Sequence, residues 1–333
     1  MQGETIILSG EQLEIPQGLT VDASALYDAE RGVPGLTLDA AGQSRVFSVS
    51  GGTADAPVEL IGLTITGGNA SGDGGGVYAS GTTTFTNCTV SGNTATGSTY
   101  SYGGGVYAKG TTTFTNCAVS GNAATGSYSY GGGVYVYSGT TTFTNCAVSG
   151  NAATGGNSYG GGVYASGTTT LTNCTVSGNT AKSGGGVYVS SGTTTLCNSI
   201  VALNYAKDDI YGSLSPNSAN NLIGYDPNFV VAPIFDAKGG LTNGSSLDLR
   251  PSSKSWAIDR GDNSFISGVS TDLAGNARVK RSWSGAATVD LGAYEYQSET
   301  WVETPALVVT TATDVVDLTD DQISLREAIF YAE

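Results

Sequence analysis

The chain has 333 residues, with 50 Gly and 18 Tyr but no His, and its 28 acidic against 13 basic residues leave a formal net charge of −15. That balance repels nucleic acid and anionic lipid. Without imidazole there is no Ser-His or Cys-His pair and no His-ligated zinc, so any catalysis would fall to carboxylates, Lys, Tyr or a metal held by oxygen. The start, Met1-Gln-Gly-Glu, has neither the basic nor the apolar part of a leader, and no stretch reaches the ~18 apolar residues of a membrane helix. On that ground alone the chain is either cytoplasmic or an excerpt of something longer. Five Cys, an odd number, argue against a fully paired disulfide framework.

Residues 1–73 alternate apolar and polar positions over 5–8, 13–15, 19–21, 36–38, 46–49 and 60–65, the period of short strands. Leu63 and Ile65 fall in the same columns as Cys88 and Val90 of the next segment, so one spiral is expected to run through both.

Residues 74–206 hold five copies of one unit, beginning at Gly74, Gly103, Gly131, Gly160 and Gly184. Each copy predicts three short strands, rich in β-branched and aromatic residues and divided by Gly, Ser and Asn. A unit this short cannot bury its own apolar positions, so neighbours must stack, and three strands per turn predict an all-β, three-strand solenoid: a parallel β-helix. A β-propeller would need about 40 residues per blade. Stacking sets equivalent residues about 4.8 Å apart, and each column of the repeat becomes a ladder.

Period two then assigns faces. Val77, Val106, Val134, Val163 and Val187 point inward, with Phe85, Phe114, Phe143, Leu171 and Leu196, and with Val90, Val119, Val148, Val176 and Ile200. Asn87, Asn116, Asn145, Asn173 and Asn198, and separately Asn93, Asn122, Asn151, Asn179 and Asn204, mark corners where stacked amides bond one another as structural ladders. Cys88, Cys117, Cys146 and Cys174 form a buried row of small thiols, with Cys197 facing the other way. Tyr78, Tyr107, Tyr135, Tyr164 and Tyr188 alternate with the inward Val and are expected to face solvent, either as a ligand face for sugar rings or simply as a shield for the sheet. Further Tyr lie in Ser/Tyr-rich segments that read as loops between copies.

Between Asp73 and Asp208 there is no Asp or Glu at all. Glycoside hydrolysis needs two carboxylates around one bond, and uronide elimination a carboxylate-held calcium with a base, so the repeat carries neither chemistry. No catalytic residue is assigned, and no enzymatic activity is expected.

Residues 207–297 form a closing region: 210–224 suits one more coil, and Pro227, Pro233 and Pro251 mark loops. Asp259, Asp262, Asp272 and Asp290 are candidates to order those loops or hold a cation, and Arg260-Gly261-Asp262 reads as a coincidental tripeptide. Residues 298–333 make a linker, a strand and a cap helix. Ser324 and Glu327 form a capping box, while Leu325, Ala328 and Ile329 share a face. Asp317, Asp320 and Asp321 lack the Gly and Glu of an EF-hand loop. No metal or other cofactor is therefore expected, with Ca2+ in the acidic flanks as the alternative.

The segments Trp256-Ala-Ile-Asp-Arg-Gly-Asp, Thr271-Asp-Leu-Ala-Gly-Asn-Ala-Arg and Val289-Asp-Leu-Gly-Ala-Tyr-Glu-Tyr resemble the closing region of bacterial surface β-helix proteins called choice-of-anchor Q proteins. Ser324-Leu-Arg-Glu-Ala-Ile, with the Val-rich stretch before it, resembles the CSLREA-type motif that opens such helices. The copies are similar to right-handed parallel β-helix repeats of polymorphic outer-membrane proteins and adhesins. The resemblance implies a right-handed solenoid that is extracellular or on the cell surface; it does not say whether there is a ligand.

Order is the departure from that family: there the Ser-Leu-Arg-Glu-Ala-Ile segment precedes the first coil, whereas here it ends the chain. The expected function is thus a structural fibre, stalk or adhesin module assembling head to tail with other copies of itself. Val308, Val309, Val315, Val316, Leu325, Ala328 and Ile329 would cap Ile6 and Leu8 in the first coil of the next copy, within a tandem array or between subunits. The alternative is a β-helix that binds or cleaves host or environmental glycans through the Tyr ladder and flank carboxylates.

Overall fold

The structure is a computed structural model that describes residues 4–26, 35–266, 268–280 and 287–297. Its strands stack in parallel, coil upon coil, into three long sheets of nine, seven and eight strands. The Val-Tyr sheet runs from Leu13–Ile15 through Val77–Ala79, Val106–Ala108, Val134–Val136 and Val163–Ala165 to Ile210–Tyr211. The Thr-Phe sheet runs from Leu19–Asp22 to Thr194–Cys197, and the third, the Cys-corner sheet, from Glu4–Ile7 to Leu222–Ile223. Register is one to one: Phe85 pairs with Phe114, Val106 with Val134, and Val119 with Val148. This is the parallel β-helix that the repeat predicts.

Inside, the Val, Phe or Leu, and Val columns of the three sheets are fully buried. Each such side chain contributes about 1.5–3 kcal/mol by leaving water. Phe85 and Phe114 stack at 4.6 Å, and Phe114 and Phe143 at 4.7 Å. One column needs correction. Val201 pairs with Val176, and Ile200 pairs with Thr175, so Ile200 faces out of the solenoid. It is nonetheless buried, because it packs with Phe229, Leu249, Ala257 and Leu291 of the closing region in a second apolar cluster.

The segments between copies are strands and not loops. Asn69–Ser71, Thr94–Thr96, Ala123–Ala124 and Ala152–Ala153 form a fourth parallel sheet, and Tyr100–Tyr102, Tyr128–Tyr130 and Asn157–Tyr159 a fifth. Reading them as loops fails because Ser, Gly and Tyr together say little about an isolated strand, whereas stacking against identical segments pairs their backbones.

The two Asn columns behave differently. Asn93, Asn122, Asn151, Asn179 and Asn204 form the continuous ladder: the Asn122 side chain donates to Asn151 Oδ1 at 2.9 Å and to the Val90 carbonyl at 2.9 Å, and the same pair of bonds recurs at Asn151. The ladder ends where Asn204 donates to Asp209 Oδ1 at 2.8 Å. Asn87, Asn116, Asn145, Asn173 and Asn198 instead take φ values of +49° to +56°, the left-handed conformation that Asn tolerates better than other side chains. Only Asn145 to Asn116, at 2.7 Å, forms an amide-to-amide bond in that column.

The corner amides instead serve the closing region, which folds back along the shaft. Asn145, Asn173 and Asn198 donate to the carbonyls of Thr271, Phe265 and Asp262, and Asn198 Oδ1 accepts from the Asp262 N–H at 2.9 Å. Thr175 Oγ1 accepts from the Ala293 N–H at 2.9 Å.

The amide ladder and the hydroxyls of the Thr-Phe sheet make opposite predictions. Asn151→Ala removes the buried acceptor of the Asn122 N–H and side-chain amide together with a donor to the Val119 carbonyl, and should destabilise by about 3 kcal/mol. Thr141 Oγ1 is buried with no partner, so Thr141→Val should be neutral or stabilising by about 1 kcal/mol. Chemical unfolding followed by circular dichroism measures both.

Candidate functional site

In the Val-Tyr sheet the inward Val leaves Tyr on the outer face, and one-to-one register stacks the rings. Centroids of Tyr78 and Tyr107 lie 5.1 Å apart, of Tyr135 and Tyr164 5.0 Å, and of Tyr164 and Tyr188 5.0 Å. The alternation of the strand predicts such a wall to face water, as a shield for the sheet or as a ligand face. The fifth sheet closes it. Tyr102, Tyr130 and Tyr159 stack in their own column and press on the first: Tyr102 lies 5.0 Å from Tyr135, Tyr130 5.2 Å from Tyr164, and Tyr159 5.1 Å from Tyr188.

Tyr107, Tyr135 and Tyr164 are consequently 7%, 8% and 9% exposed, and only the end rings Tyr78 and Tyr188 remain half-buried. The central rings cannot receive a sugar without opening this second core. Arg45 closes one end, its guanidinium 5.6 Å from the Tyr78 ring while it donates to the Asp73 and Gly74 carbonyls. Tyr211 stacks on Tyr188 at the other end. Rings that do meet solvent are Tyr100, Tyr128 and Tyr137 along the rim and Tyr211 at that end.

Cys88, Cys117, Cys146 and Cys174 are buried and free. They are more than apolar filling. Each thiol donates to the carbonyl two residues earlier, as Cys146 does to Thr144 at 3.2 Å, and the Cys88 and Cys117 N–H groups point to the sulfur of the next coil at 3.4 Å. Ser199 takes the next place, accepting from the Cys174 N–H at 3.1 Å, and Asn221 accepts from Ser199. Burial pushes the Cys146 thiol up, which keeps it neutral. The column works as a run of compact donor-acceptors beside the corner.

The closing region gathers Asp272, Asp290 and Glu295 around Arg278, all four buried. Arg278 Nη1 lies 3.4 Å from Glu295 Oε2, and Nη2 donates to the Asp290 and Gly292 carbonyls. Asp290 accepts from the Asp259 and Tyr296 N–H groups, Glu295 from those of Asp290 and Lys280, and Asp272 from those of Ala274, Asn276 and Glu295. Burial raises Asp290 to about 6 and Glu295 to about 8. These carboxylates are engaged in holding the closing loops together. Asp262 lies apart, its Oδ1 accepting from the Ser264 N–H. Among the described residues no three His, Cys, Asp or Glu side chains gather to hold a metal ion.

At the other end, among the described residues, the first coil is open. Ile6, Ile7, Leu13 and Leu19 are 49%, 67%, 39% and 48% exposed, whereas Leu8 is buried. Val308, Val309, Val315, Val316, Leu325, Ala328 and Ile329, assigned to the cap, lie outside the described residues, as do Asp317, Asp320 and Asp321.

The paired Tyr columns carry a pH signature. Burial pushes the Tyr130 hydroxyl up to about 12 from the ordinary 10.0 and raises Tyr107 and Tyr135 as well. A phenol raised in the folded state stabilises fully below the ordinary value and loses that contribution as pH climbs through its folded one. Melting temperature should therefore hold to about pH 10 and fall steeply toward pH 12, with part of the 18 Tyr ionising only on unfolding. Absorbance titration of phenolate in native and denatured protein checks this; coincident titration curves would contradict it.

Residues 74–230 match the family model described as "Right handed beta helix region". No curated protein matches the chain. A solved structure described as "Crystal structure of pectate lyase Pel9A" is similar over 89% of this chain and 88% of that one, at 17% identity and a TM-score of 0.41. With the stacked parallel sheets, the match over residues 74–230 shows a right-handed parallel β-helix fold.

Proposed function

We propose that this chain is a structural module of a bacterial surface fibre, stalk or adhesin, extracellular and joined head to tail to other copies. The observation that carries this reading is the open first coil, whose Ile6, Ile7, Leu13 and Leu19 stand in solvent among the described residues. An uncovered end presents unpaired strand edges and an apolar cross-section, which proteins cover or use. The segment 298–333, with its resemblance to the motif that opens surface β-helices, is the natural cover for the next copy. The choice-of-anchor Q resemblance of the closing region supports display on a bacterial surface. Covalent tandem copies and separate subunits use the same junction, and a head-to-tail contact of this kind repeats without closing.

The glycan-cleaving alternative loses ground on two counts. Central Tyr rings are buried, and Asp272, Asp290 and Glu295 are tied to backbone donors and Arg278. We assign no catalytic residue.

Light scattering and electron microscopy of the chain across concentration should show end-to-end particles. Deleting residues 303–333, or Ile6→Lys with Ile7→Lys, should leave monomers, and a peptide of residues 303–333 should bind the deleted chain. Monomers at every concentration and no binding of that peptide would refute the assembly.

A further inference from the structure

A cleft of about 650 Å3 opens where the last rung of the Cys-corner sheet meets the closing region. Leu222 forms part of its apolar lining, and Tyr225, Trp256, Arg260, Asp226 and Asn220 surround it. Tyr225 and Trp256 are 74% and 68% exposed, the two most exposed large apolar side chains among the described residues. Exposed rings of this size, unlike the buried Tyr columns, have faces free to stack on a ligand. Neither the indole N–H of Trp256 nor the Arg260 guanidinium makes a hydrogen bond or ion pair within the described chain, and Asp226 accepts only the Asn228 N–H, at 2.8 Å.

From this we infer that the cleft is a binding site for a neutral oligosaccharide, held by stacking on Trp256 and Tyr225 and by hydrogen bonds from its hydroxyls to Arg260, Asp226 and Asn220. The size lies within the about 300–1,000 Å3 of small-ligand sites. Apolar rings beside mixed donors and acceptors match sugar, which presents C–H faces and hydroxyl edges together. The charge pattern selects the neutral class: Arg260 is matched by Asp226 in the same cleft, and the chain carries a net charge of −15, which repels polyanions. This site is independent of the head-to-tail junction, since it uses neither residues 4–8 nor residues 298–333.

Titration calorimetry of the full chain with cellohexaose, xylohexaose and mannohexaose, and with hexagalacturonate as the anionic arm, tests it. At least one neutral hexasaccharide should bind. Trp256→Ala and Tyr225→Ala should each weaken that binding about tenfold or more, with the melting temperature unchanged. Deleting residues 303–333 should leave it intact, which separates this site from the assembly. Absence of binding to all three neutral probes, preference for hexagalacturonate, or binding unaffected by both substitutions would overturn the inference.

Discussion

Every coil of this solenoid depends on its neighbours, in one register, for backbone hydrogen bonds and for the cover of its apolar side chains. A unit of 24 to 29 residues cannot do either alone. One-to-one pairing of Phe on Phe and Val on Val then dictates everything that lies in a column. Polar columns obey the same constraint. Buried Asn122 and Asn151 each reach up and down the axis, and the Cys row passes to Ser199 and Asn221 without breaking the pattern of a donor-acceptor at that point. Slipping one coil by a residue would turn each such group away from its partners.

The same constraint separates shaft from ends. Columns that satisfy themselves need no charge, and the shaft between Asp73 and Asp208 has no carboxylate. At its end the pattern gives way to a non-repeating segment that folds back, reads the corner amides of Asn145, Asn173 and Asn198, covers Ile200, and is locked by Arg278 and its three carboxylates. Position along the chain thus sorts the chemistry: uniform packing in the repeat, and the acidic residues and most exposed large apolar side chains of the described residues in the flanks.

Period and spacing make the solenoid, its three long sheets and most core positions legible in the amino-acid sequence, because those depend on columns that repeat. What escapes depends on contacts between segments with different periods. The Tyr columns are solvent-facing by the alternation of their own strand, and only the second column, from segments whose composition reads as loop, buries Tyr107, Tyr135 and Tyr164. The recurring Tyr-Ser-Tyr at 100–102 and 128–130 carries that signal, since alternation over three residues is itself a strand pattern. The corner Asn residues read as a second ladder, yet the left-handed backbone aims them at the closing region, which has no repeat to announce it. Counting from Asn198 sets Val201 in the Val176 column, so the inward placement of Ile200 is a one-residue misreading of the columns; what no column shows is that its neighbours come from residues 229–291. Trp256 stands in a motif, but its place beside Tyr225 depends on how the closing region folds.

Excision of one copy tests most directly the claim that stacking in register governs this structure. Removing residues 131–159 joins Tyr130 to Gly160, which stands in the same column as Gly131, so every ladder is rejoined one rung shorter. The shortened chain should keep its β-sheet circular dichroism and a cooperative melt close to that of the parent, while a deletion of residues 131–144 alone, which breaks the columns, should not fold. Unfolding of the in-register deletion, or equal tolerance of both, would contradict the account.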